Sequence, residues 1–178
     1  QRFGPELLAF FHAVLRNEAD AEECFGQFCE EFWRGLHRFR RECGPRTWCY
    51  VLARRTLCRY RETLNRRRKR FVSLSRIPKK LRLVAVRVRT STLAYLRTEA
   101  KDKLARLREQ LTADQQMLLV LRVDRNLSWN QIARIMEGLE TVEDEELRQR
   151  AAALRKQFQR IKEKLSKLAK REGMLEPE

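Results

Sequence analysis

Apolar residues along the chain recur at intervals of three and four for most of its length, the spacing of one helix face rather than the alternation of a strand. Leu7, Phe10, Phe11, Val14 and Leu15 form the first such stripe, in a helix predicted from Pro5 to about Arg16. Ala21, Cys24, Phe25, Phe28, Phe32, Leu36 and Phe39 form the second, and Asp20 with Glu23 three residues later predicts its start. Gly44-Pro45 breaks the pattern, so "RRECGPRT" reads as a loop. A third helix follows in "WCYVLARRTLCRYRETLNRRRKR", with the stripe Cys49, Ala53, Leu57, Tyr60 and Leu64.

From about Phe71 to Arg89 the rhythm loosens around Pro78, and "RLVAVRVR" suits either a short strand or an extended tether. It then resumes through Leu93, Leu96, Ala100, Leu104, Leu107 and Leu111. Thr112 with Gln115 and Ser128 with Gln131 are capping boxes, each announcing a helix. Met117, Leu118, Val120 and Leu121 line the first of these, and Ile132, Ala133, Ile135 and Met136 the second. A last, long helix is predicted from near Thr141, capped with Asp144, to about Arg171, on the stripe Leu154, Phe158, Ile161, Leu165 and Leu168. The fold class is therefore all-α.

Charge changes this picture because it is unevenly placed. The formal net charge is +16. Residues 46–89 hold 16 of the 40 basic residues and a single acid, Glu62, whereas residues 1–45 are slightly acidic. A concentrated basic block points to a polyanion partner; the alternative is a solvated linker with a localisation-type charge run. In the third helix Arg55 and Arg59 each fall within roughly 20° of Trp48 at 3.6 residues per turn. Placed on an exposed surface, an aromatic plane beside guanidiniums suits a nucleic-acid strand, whose bases stack and whose phosphates pair. The alternative for Trp48 is a core position.

Other chemistry is scarce. Cys24, Cys29, Cys43, Cys49 and Cys58 form no C-x-x-C pair, and His12 and His37 stand at no zinc-ligand spacing. They read as reduced thiols, several of them on apolar stripes. No metal, cofactor or catalytic site is expected, and no Gly-rich phosphate loop is present. No apolar run approaches the roughly 20 residues of a membrane span. The N-terminus does not read as a signal peptide, and a cytoplasmic location is expected.

Taken in order, these segments resemble a bacterial RNA polymerase sigma factor of the extracytoplasmic-function (ECF) group. "DAEECFGQFCEEFWRGLHRFR" resembles the family's polymerase-docking helix, and "PRTWCYVLARRTLCRYR" with "RRRKR" its minus-ten helix. "REQLTADQQMLLVLRVDRNLSWNQIARIM" is similar to the start of the sigma-four domain, and "ALRKQFQRIKEKLSKLAKR" to its recognition helix. The resemblance implies two small helical domains joined by a basic linker. A three-helix sigma-two-like domain would occupy residues 1–70 and the linker 71–91. A sigma-four-like helix-turn-helix domain would occupy 92–178, with an acidic insertion at about 137–147.

By the same resemblance Glu22, Glu23, Gln27, Glu30 and Glu31 would bind polymerase. Arg46, Trp48, Arg54, Arg55, Arg59 and Arg61 would engage the minus-ten strand. Arg155, Lys156, Gln159, Arg160 and Lys162 would face the minus-thirty-five element; Arg and Gln can make bidentate contacts with guanine and adenine edges. Lys162 and Lys164 suit phosphate. The implied partners are core RNA polymerase and promoter DNA, with room for an anti-sigma factor, and neither a membrane nor a small-molecule substrate. The implied function is transcription initiation and not catalysis. The alternative is a helix-turn-helix regulator that binds duplex DNA without polymerase, a reading that leaves the basic-aromatic first half without a task.

Two departures from the family pattern stand out. Gly26-Gln27 replaces the common glutamine followed by an acid. About ten extra residues, rich in acids, separate the two helices of the expected helix-turn-helix, far beyond the usual turn. The insertion is expected to lengthen the recognition helix backwards behind an acidic loop that folds along the basic face or meets protein. The alternative is a tolerated surface insertion.

Overall fold

The computed structural model describes residues 3–72, 106–138 and 142–173, and every regular element among them is helical. Helix α1 spans Gly4–Leu15, with a proline in its first turn, and buries Leu7, Phe10, Phe11 and Val14. Arg16 in the left-handed region ends it. Helix α2 spans Glu18–Gly35 and starts earlier than the Asp20 box predicts. Asn17 is the cap: its side chain accepts from the Asp20 amide at 3.1 Å, so Asp20 lies in the first turn rather than before it. At its far end α2 tightens into a 3-10 turn, Leu36–Arg38, before the loop to Gly44.

Helix α3 spans Pro45–Val72 and is the centre of the fold. Its stripe Cys49, Ala53, Leu57 and Tyr60 is buried as expected. So, however, is every residue from Thr47 to Ala53. A helix turn that is apolar on all sides is one with neighbours on all sides, and α3 packs against α2, α1 and, from the second half of the chain, the helix Trp129–Glu137.

The second half begins with helical residues 106–109 and a turn that buries Leu107 and Leu111. Both capping boxes form. Thr112 opens α4, Ala113–Leu119, and Ser128 opens α5, Trp129–Glu137, each accepting from the amide three residues on while the glutamine reaches back. Between them the chain runs through a π-helical turn, Val120–Asp124, then a left-handed Asn126 and the buried Leu127. Gly138, at φ +70°, ends α5.

Helix α6 spans Asp144–Arg171, with Glu143 as its N-cap, so it begins later than Thr141. Of the acids in the expected insertion, Asp144, Glu145 and Glu146 are the first turn of α6, where carboxylates complement the helix dipole, and Glu143 is its N-cap, whereas Glu140 lies outside the described residues. Glu137 and Glu146 both pair with Arg150, which clamps the end of α5 to the start of α6.

The two halves pack on each other, chiefly through α3 and α5. The buried cluster runs without interruption from α1 to α3 into α4, α5 and α6. Expectations for the linker and for the helix through Leu93 to Leu104 fall on residues 73–105, outside the described residues; the first two expected linker residues are the last two of α3.

Candidate nucleic-acid interface

The five α6 residues assigned to the minus-thirty-five element, Arg155, Lys156, Gln159, Arg160 and Lys162, are all exposed. Leu147, Ala151, Leu154 and Ile161 occupy the opposite side, packed on α5 and α4. One helix thus presents a continuous polar arc with four cations, without a buried cost. Lys164 is committed elsewhere: its Nζ donates to the Gln110 carbonyl at 2.7 Å. Trp129 fixes the base of this module, edge-on to Phe158 with centroids 5.5 Å apart and with the Arg122 guanidinium 4.9 Å from its ring.

The minus-ten set is brought together on α3 but not in the way the helical wheel suggests. Trp48 is only 3% exposed. Its ring meets Phe32 and Phe39 at centroid distances of 5.5 and 4.8 Å, and lies 3.6 Å from where a Cβ on Gly35 would stand. It is a core tryptophan, and the exposed stacking surface expected of it is absent. The wheel compares residues on one helix; it does not know that the 3-10 turn returns Phe39 over the same face.

The arginines divide by depth. Arg46 donates through Nε to Glu6 at 3.0 Å and through Nη2 to the Arg125 carbonyl at 3.1 Å. Tyr50 also donates to Glu6, at 2.8 Å. Burial works to raise the Glu6 pKa, but the hydrogen bonds from Arg46 and Tyr50 and the charges of Arg46 and Arg125 outweigh it, so the carboxyl is held below its ordinary 4.5. Arg61 turns inward: Nη2 donates to the Val14 carbonyl at 3.2 Å, and burial lowers its pKa. Arg46 and Arg61 therefore join elements of the fold rather than facing outward.

Arg54, Arg55 and Arg59 do share an open cleft of about 690 Å³ between α2 and α3. Two arginines that sequence reasoning missed, Arg34 and Arg38, line its other wall, and Glu31 is its one carboxylate. Glu31 pairs with Arg59 and accepts from Thr56 Oγ1 at 2.9 Å. Five guanidiniums against one carboxylate leave a surplus of positive charge, suited to phosphates by charge and by planar fork geometry. The available signal was the i, i+4 spacing of Arg34 and Arg38; nothing local says that α3 lies opposite them.

On α2 the polymerase set also divides. Glu23 accepts from Tyr60 at 3.0 Å and Glu31 faces the cleft, so both serve the α2–α3 contact. Glu22, Gln27 and Glu30 are exposed, and so is Trp33, at 70%. None of the five cysteines is paired in a disulfide, and no metal-binding cluster occurs among the described residues. Burial pushes the Cys24 thiol up to about 12 and the Cys49 thiol to about 11.

Residues 1–68 match the family model described as Sigma-70 region 2. No curated protein and no solved structure matches the chain. The matched segment covers α1, α2 and most of α3, and it supports a sigma-70 family factor acting in transcription initiation. That family is one of non-enzymatic transcription factors, whose partners are core RNA polymerase and promoter DNA. No described helix is long and apolar enough to cross a membrane.

Proposed function

We propose that this chain is an ECF-type initiation factor that binds core RNA polymerase and directs it to promoters with minus-ten and minus-thirty-five elements. The observation that carries the reading is the order of its parts. A segment matching Sigma-70 region 2 is followed by two capped helices and a long helix with an exposed basic arc.

Each part has a physical task. Glu22, Gln27 and Glu30, with the exposed Trp33 one turn further on, give α2 an acidic, partly aromatic face for polymerase. An exposed tryptophan among charges is a common interface anchor. Arg54, Arg55 and Arg59, joined by Arg34 and Arg38, hold the phosphates of the minus-ten strand. With Trp48 in the core, this contact is electrostatic first, and base stacking falls to other residues. Arg155, Gln159 and Arg160 read base edges in the minus-thirty-five major groove, while Lys156 and Lys162 supply affinity without sequence information. The factor works in the cytoplasm, and an anti-sigma factor is a natural candidate for its control.

Run-off transcription with core polymerase, this protein and DNA from upstream of its gene tests the reading. A defined start that appears only with both proteins present is the expected result. Specific binding of the same duplex by this protein alone, with no binding to core polymerase, would replace it with a polymerase-independent regulator.

A further inference from the structure

The cleft between α2 and α3 has cations on both of its walls. Arg54, Arg55 and Arg59 stand on α3, and Arg34 and Arg38 at the end of α2 and in its 3-10 turn. Its volume of about 690 Å³ lies inside the roughly 300–1,000 Å³ of sites that take small molecules. Leu52 and the half-buried Cys58 supply an apolar part of the lining.

The α3 wall is set before any ligand arrives. Arg55 Nη2 donates to the Gly138 carbonyl at 2.6 Å. Arg59 pairs with Glu31, and Thr56 Oγ1 donates to the same carboxylate at 2.9 Å. Guanidiniums already held in place lose less freedom when an anion binds. The opposite wall is looser. Arg34 Nη2 lies 3.5 Å from Glu30 in an exposed i, i+4 pair, and Arg38 Nε donates to His37 Nε2 at 3.3 Å. Exposed contacts of this kind contribute little, so both side chains are free to turn toward charge in the cleft.

Cations that converge from two walls suit a compact anion. A strand carries its phosphates one per nucleotide along a line, so it meets one wall at a time. A di- or triphosphate brings two or three charged groups into one small volume, where planar forks from both walls reach them.

We propose that the α2–α3 cleft binds a diffusible polyphosphate, supplied either as a nucleoside di- or triphosphate or as free inorganic polyphosphate. Binding itself does not depend on the promoter reading of α3. Its consequence rests on that reading: an occupied cleft is closed to the minus-ten strand, so ligand and strand exclude each other.

The test is isothermal titration calorimetry on the full chain, without divalent cations and at fixed ionic strength, because a chain of net charge +16 attracts any anion. The probes are tripolyphosphate, ATP and inorganic phosphate. Tripolyphosphate is expected to saturate one site, and inorganic phosphate to bind at least about tenfold more weakly. ATP binding tighter than tripolyphosphate identifies a nucleotide, whose base uses Leu52 and Cys58; equal or weaker binding identifies the free polyphosphate. Arg38→Glu should weaken tripolyphosphate at least about tenfold, and Arg38→Lys, which keeps the charge and loses the fork, by less. Lys167→Glu, the same charge change at an exposed position of α6, should weaken it by less than about twofold.

Equal losses in Arg38→Glu and Lys167→Glu would overturn the proposal, as would heats spread over many weak sites, because general charge attraction produces both. So would an absence of binding, and the initiation reading would then stand or fall on run-off transcription alone. Repeating the titration with the protein saturated by a single strand of about 20 nucleotides, longer than a small domain covers, separates the two readings further. Loss of tripolyphosphate binding supports exclusion. Binding that persists keeps the polyphosphate site and refutes instead the placing of the minus-ten strand in this cleft.

Discussion

Replacing Trp48 separates a core tryptophan from a stacking platform for bases. Its ring is enclosed by Phe32, Phe39 and the gap left by Gly35, and is 3% exposed. A tryptophan side chain buries about 150–250 Å², which at ~25 cal/mol per Å² corresponds to about 4–6 kcal/mol as an upper bound. Trp48→Ala is therefore expected to destabilise the fold by about 3–5 kcal/mol, the usual range for opening a cavity of this kind. Trp48→Phe keeps the contact with Phe39 and should cost about 1–2 kcal/mol.

Far-UV circular dichroism, during urea titration for the free energy and during heating for the midpoint, is the assay, since fluorescence would change with the ring itself. Taking unfolding as one transition, Trp48→Ala should lower the thermal midpoint by roughly 6–20 °C for a chain of this size. Binding of single-stranded DNA by Trp48→Phe, measured where the variant is fully folded, should match the parent within about twofold. A Trp48→Ala chain that loses less than about 1 kcal/mol of stability but binds DNA poorly would refute the core assignment and restore the stacking role.

Other predictions follow from particular contacts. Glu6→Gln removes the charge that Arg46 and Tyr50 hydrogen-bond, and should cost about 1–2 kcal/mol near neutral pH. Because the Glu6 carboxyl is held below 4.5, its contribution is fully present above that value and is lost as pH falls below it. The gap between Glu6→Gln and the parent, read from urea midpoints, should therefore close in acid; a gap constant from pH 7 to pH 3 would contradict the ion pair. Ser128→Ala and Thr112→Ala each remove a formed capping box and should cost about 1 kcal/mol, with a conservative exchange of Ser for Thr nearly neutral. Cys24 and Cys49, buried with thiols pushed up to about 12 and about 11, should resist a thiol reagent at pH 8 until the chain unfolds. Labelling of either in the native protein at the rate of a free thiol would show that α1 to α3 open locally.

What the sequence determined alone is mostly what depends on neighbours a few residues away. The capping boxes at Thr112 and Ser128, the proline in the first turn of α1 and the apolar stripes of α1 and α3 are local signals, and each formed as read. The basic arc of α6 was also legible, because exposed positions on a helix follow from the stripe that opposes them. Where a local signal failed, another local signal had won: Asn17 caps α2 ahead of Asp20, and Asp144, Glu145 and Glu146 form the first turn of α6, where they complement its dipole.

Tertiary structure decided what each α3 residue faces. Trp48 looked exposed on a wheel because a wheel has only two sides, core and solvent, whereas α3 has neighbours on nearly all sides through Ala53. The uninterrupted run "TWCYVLA" was the one sequence clue to this. That Arg46 would bridge Glu6 and Arg125, and that Gly138 would meet Arg54 and Arg55, depends on pairs separated by some forty to eighty residues. Helical periodicity relates a residue only to its own helix, within a few turns. Which helix lies opposite is settled by burying several amphipathic faces at once, and that choice also determined which arginines remained open to a partner.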